Sequence, residues 1–155
     1  MNNAQLHQHI SDAILAHLTW VRKADHLISG LPVKEGSIPL DPDTCEFGQW
    51  LKIDALRLKK IEHLKDIIEI IEHHHHDLHA AYAIIYEIYF YIPKHRSTLN
   101  KLFSFQFDDI TQEDKEEANI YFKDLKRSSE YLVSSMHILK EQIKDLNYSD
   151  LLELK

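Results

Sequence analysis

Twelve histidines and a single cysteine, Cys45, supply this 155-residue chain with an unusual number of nitrogen and sulfur donors. Histidine is the side chain that most often ligates transition metals. Imidazoles four positions apart on a helix project from one face and can share an ion. Of the twelve histidines, only His75 and His79 have that separation. His75 falls on the apolar stripe of its segment, so the pair is expected to point inward. His17 sits in the middle of a second apolar stripe, near the N-terminus, whereas His7, His9 and His26 fall off it. A polar group at a core position needs a partner. For a lone core histidine that partner is commonly a hydrogen bond, but two separate helices each carrying one favour a shared ion. Taken alone, Cys45 is most simply a small buried hydrophobe. If its helix folds across the bundle, it completes a set of three imidazoles and one thiolate suited to tetrahedral zinc.

Other registers stay open at this level. His76 and His79, three apart, form an alternative pair. His73, His74 and His76 are expected to face solvent or to stand behind the ligands. Asp77, Glu72 and Asp25 could orient the imidazoles, as exposed acids on any helix could. A helix N-terminal position for Cys45 would favour its thiolate.

The elements that must position these donors are helices. Leu6, Ile10, Ala13, His17, Trp20, Ala24 and Leu27 recur at steps of four and three, which predicts a first helix over about 3–29. Gly30 and Pro32 should stop it, and a loop follows to about Leu40. A short helix is expected over 43–52, capped by Asp41 or Asp43, with Pro42 near its start and Cys45 in its first turn. From Asp54 to Ile92 there is no glycine or proline, and Ile61, Leu64, Ile68, Ile71, His75, Leu78, Tyr82, Ile85, Tyr89 and Ile92 keep one stripe. This predicts a single long helix ended by Pro93. Residues 94–110 read as a short helix around 98–103 and a loop through Asp108. Thr111 and Asp114 form a capping-box pattern. The last helix, to about Leu146, has Ala118, Phe122, Leu125, Ser129, Leu132, Met136, Leu139, Ile143 and Leu146 on one face. The expected fold is all-α: one domain over 1–155, an antiparallel bundle of three long helices and one or two short ones. The tail from Asp145 reads as the start of a linker or as a natural end.

Composition excludes several classes. At 44% hydrophobic residues the chain can bury a core without disulfides, and a lone cysteine forms none internally, which fits a reducing cytoplasm. No signal-peptide pattern and no membrane-length apolar run is present. A formal charge of −7 argues against nucleic acid. Glycines at 30, 36 and 48 are too dispersed to cradle a phosphate.

Three segments, His17-Leu-Thr-Trp20, Cys45-Glu-Phe-Gly-Gln-Trp50 and His75-His-Asp-Leu-His79, with equal stretches of chain between them, resemble the signature of the chemoreceptor zinc-binding (CZB) domain family. That signature is His-x-x-Trp, Cys-x-Phe-Gly-x-Trp and His-x-x-x-His, and the match covers about residues 14–80. The resemblance implies zinc ligation by His17, Cys45, His75 and His79. It also implies a homodimer, and a cytoplasmic regulatory module attached to a chemoreceptor or a diguanylate cyclase. No such effector domain is present in this sequence. The expected function is a sensor in which zinc occupancy, or the redox state of Cys45, alters helix packing and biases a signalling output in chemotaxis or cyclic-di-GMP turnover. Four protein ligands leave no position for a substrate water, which points away from an enzyme. The alternative from another class is a hemerythrin-like di-iron oxygen-binding bundle. Its only His-x-x-x-Glu candidate, His137 to Glu141, comes in the wrong order relative to His75 and His79. A plain bundle without metal would explain the stripes but not the core histidines.

Overall fold

A computed structural model describes residues 3–103 and 109–146, all of whose regular elements are helical. Helix α1 spans Asn3–Ile28. It ends as the sequence requires. Gly30 adopts φ 78°, and the amides of Gly30 and Leu31 close back onto the carbonyls of Leu27 and His26. This left-handed cap satisfies the last helical carbonyls, and glycine enters it without a Cβ penalty.

The loop returns the chain to a compound helix. Helix α2, Glu46–Trp50, widens into a π turn at Leu51–Ala55 and closes with α3, Leu56–Leu58. The expected start at 43 is corrected. Asp41 accepts from the amide of Asp43 within the preceding turn, and the helix cap is Cys45 itself, whose sulfur accepts from the Gly48 amide. Pro42 therefore lies ahead of the helix.

Helix α4 spans Glu62–Tyr86, so the unbroken helix expected from Asp54 is also corrected. Tight backbone bonds from Lys60 to Arg57 and from Ile61 to Leu58 close a turn, and Ile61 is extended at ψ 111°. The ion pair of Lys59 with Glu72, at 2.5 Å, ties this turn against α4. No glycine or proline marks the break. It is driven by tertiary contacts, because the reversal buries Phe47, Trp50, Leu51, Ala55 and Leu58 in the common core.

A π turn at Glu87–Tyr91 leads from α4 into α5, Ile92–Phe103, so Pro93 does not end the helical path. Proline lacks an amide donor and clashes with the carbonyl four residues earlier. In the π turn the Ile92 amide bonds Glu87, five residues back, which shifts the register just before the ring. The loop expected through Asp108 lies largely outside the described residues. Helix α6, Gln112–Gln142, opens with the capping box of Thr111 and Asp114 and continues into a 3-10 turn at Ile143–Asp145. Asp114 also pairs with Arg96 of α5.

Helix α6 packs along α4 and along α1. All nine residues of the stripe read for α6 are buried, as are Leu6, Ile10, Ala13, His17, Ala24 and Leu27 of α1 and Leu64 through Ile85 of the α4 stripe. Each large apolar side chain so buried contributes roughly 1.5–3 kcal/mol. The N-terminus of α1 is held at the end of α6, with the Asn3 amide donating to the carbonyl of Ile143 and Lys140 Nζ donating to Ser11 Oγ. No described helix is long and apolar enough to cross a membrane.

Candidate metal centre

Three elements deliver four donors to one point. His17 comes from the middle of α1, Cys45 from the cap of α2, and His75 and His79 from one face of α4. All four are buried, none more than 2% exposed. One ligand atom from each lies within 4.8 Å of all the others, and Cys45 Sγ stands 3.2 Å from His75 Nε2. Two donors on a tetrahedral zinc ion stand about 3.3–3.6 Å apart, given bond lengths near 2.0–2.3 Å. The group can therefore hold a metal ion after only small adjustments.

The hydrogen bonds orient the rings toward that point. His17 Nδ1 lies 2.6 Å from the carbonyl of Ala13, and His79 Nδ1 lies 3.0 Å from the carbonyl of Pro39. Each Nδ1–H donates outward, which leaves each Nε2 as a bare acceptor. Both Nε2 atoms are buried with no hydrogen-bond partner. A buried, unsatisfied ring nitrogen costs about 1–3 kcal/mol, and a cation between them removes that cost. Backbone carbonyls, rather than the acids considered above, thus set the tautomers. Glu72 is engaged by Lys59, Asp77 faces His73, and Asp25 is exposed. The Pro39 carbonyl had no signal in the sequence, because a loop position carries no periodicity.

Electrostatics keep the imidazoles neutral and ready to ligate. Burial, with a smaller contribution from the neighbouring His79, holds His17 down at about 4. Burial, then the neighbouring histidines, holds His75 at about 2, and burial also lowers His79. Cys45 goes the other way from the helix-terminus expectation. Burial raises its thiol, and the amides of Gly48 and Phe47 only partly offset this. Desolvating a thiolate outweighs two amide dipoles. As a thiol, Cys45 donates to the Pro42 carbonyl at 3.3 Å.

Aromatic rings wall the cluster. Phe47 stacks on Trp50 and sets its edge against His17 and His75, each with ring centres 5.5 Å away. Trp20 lies 4.5 Å from the His17 ring and 5.6 Å from that of His79. Phe47 and Trp50 thereby pack the short helix onto the common core. On the solvent side, a cavity of about 490 Å³ reaches His75, and its lining carboxylates include Asp43 and Glu72, which are paired with Lys52 and Lys59, and Glu69.

The other histidines stay outside. His73 and His76 are exposed, and His74 is half-buried against Tyr131. The alternative register through His76 is not assembled, because the buried group contains His75 and no His76. The buried group also contains no carboxylate, and a carboxylate-bridged di-iron site requires one. His137 and Glu141 are exposed, with Glu141 paired to Lys144. Comparison of the chain with protein families, with curated proteins and with solved structures finds no match.

Proposed function

We propose that this chain is a zinc-binding regulatory domain in which His17, Cys45, His75 and His79 ligate one zinc ion. The observation that carries this is the convergence of four buried donors from three separate segments, two of them ring nitrogens without any other partner. Three imidazoles and one thiolate favour zinc over the hard cations, which prefer oxygen. Bound there, zinc supplies a cross-link between α1, α2 and α4 and polarises no substrate, because all four positions are filled by protein.

The chain's own residues then do the coupling. His17 holds α1, Cys45 holds the compound helix, and His75 with His79 hold α4. Loss of the ion leaves unsatisfied nitrogens at the junction and biases the packing of α1 against the rest. The domain is non-enzymatic and its output lies in a partner. The three-part motif supports the CZB family, with a cytoplasmic signalling role upstream of a chemotaxis or cyclic-di-GMP effector. An antiparallel bundle is supported by the meeting of the α1 N-terminus with the α6 C-terminus. A homodimer is supported by the motif and by exposed Leu15 and Leu18 on α1.

The test is a zinc titration of a variant carrying both His75→Ala and His79→Ala. Stoichiometric tight binding is expected to disappear. Tight binding retained by the double variant would refute the site.

A further inference from the structure

Two residues before His75, the same helix carries a second group of donors on its outer surface. His73, His74 and Asp77 each place one ligand atom within 4.8 Å of the other two. His73 Nε2 is 3.3 Å and His74 Nδ1 is 4.0 Å from Asp77 Oδ2. The spacing follows from α4 itself, since residues three and four apart share a face. Donors bound at about 2.1 Å to one ion stand about 3.0–3.4 Å apart, so the group needs little movement to close on a cation. The His74 ring is already held, stacked on Tyr131 of α6 with centres 5.0 Å apart. Less freedom is therefore lost on binding than at three unrestrained side chains. His73 and Asp77 are 70% and 47% exposed, so an ion here keeps water on its remaining positions.

We propose that His73, His74 and Asp77 form a second, solvent-open site for a divalent first-row transition-metal ion, weaker than and distinct from the buried centre. Two imidazoles and one carboxylate suit zinc, nickel or copper and disfavour magnesium and calcium, which take oxygen ligands. The proposal stands on these three side chains alone and does not depend on the zinc reading of the buried group.

The experiment uses the full chain and zinc alone, with zinc per chain measured after equilibrium dialysis against buffered free zinc. The wild type is expected to take up one tight equivalent and one at least about 100-fold weaker. A variant carrying His73→Gln and Asp77→Asn, both at exposed positions, should keep the tight equivalent and lose the weak one. A variant carrying Cys45→Ser and His79→Ala should keep only the weak one. A wild type that stops at one tight equivalent, or a His73→Gln, Asp77→Asn variant that still binds two, overturns the outer site. A wild type with a weak equivalent and no tight one, the weak one lost in the His73→Gln, Asp77→Asn variant, supports the outer site and overturns the buried one.

Discussion

The backbone of Gly48 passes so close to Pro42 that a methyl group on its α-carbon would stand 1.8 Å from the Pro42 carbonyl oxygen and 3.2 Å from the His75 ring. The same turn lets the Gly48 amide reach Cys45 Sγ at 3.1 Å. A glycine inside a helix ordinarily costs about 1 kcal/mol relative to alanine. Here that cost is accepted because only glycine lets the loop, the cap and the Cys45 thiol share one place.

Gly48→Ala is therefore expected to reverse the usual sign of a helical glycine replacement. Instead of gaining stability, the variant should lose about 1–3 kcal/mol through overpacking, and zinc affinity should fall at least about tenfold as Cys45 is displaced. Chemical denaturation and competition with a chromophoric chelator read the two effects. A variant as stable as the parent, with unchanged affinity, would show that the close approach is not needed.

Zinc binding should release about one proton near neutral pH. The three imidazoles are already neutral there, because burial holds them below their ordinary values. Cys45, raised by burial, still carries its proton and must lose it to bind. Affinity should accordingly rise about tenfold per pH unit between about 6.5 and 8.5. Calorimetry in buffers of different ionisation enthalpy counts the protons, and a count of two or more contradicts neutral ligands.

The zinc-free protein should lose stability on acidification. His17 is held at about 4 and His75 at about 2 in the folded chain, below the ordinary 6.5 of the unfolded one. Stability from groups lowered in this way is fully present above pH 6.5 and is lost as pH falls toward the folded values. For His17 the loss by pH 4 is on the order of 3 kcal/mol. Thermal unfolding between pH 4 and 8 checks this, and a midpoint that stays flat below pH 6.5 counts against burial of neutral rings.

Chelation should destabilise the fold. With free zinc at about a thousand times its dissociation constant, binding adds about 4 kcal/mol, which corresponds to about 10 °C in a chain of this size. Calorimetric scans with zinc and with excess chelator measure the difference. Equal midpoints would mean that the ion does not tie the helices together.

Thr111→Ala serves as a control remote from the ligands. Its hydroxyl accepts from the Asp114 amide while the Asp114 carboxylate accepts from the Thr111 amide. Loss of this cap should cost about 1 kcal/mol. Zinc affinity, measured by chelator competition, should stay the same.

Much of this was legible in the chain because helical burial is periodic. The stripes of α1 and α6 identified core residues one by one, and the capping box marked where α6 begins. The same periodicity singled out His17 and His75 as polar residues on apolar faces. What periodicity cannot carry is the direction of the chain between helices. Thirty residues of straight helix would hold Cys45 and His75 about 45 Å apart, yet the turn at Lys59–Ile61 brings their ligand atoms to 3.2 Å. Neither glycine nor proline announces that turn, because it forms where burying Phe47, Trp50 and Leu58 outweighs the few helical bonds given up. Tertiary burial likewise decided that Cys45 is a raised thiol instead of a stabilised thiolate, while the π turn before Pro93 carries the helical path past it. Local spacing determined which donors face inward, and packing alone determined that they meet.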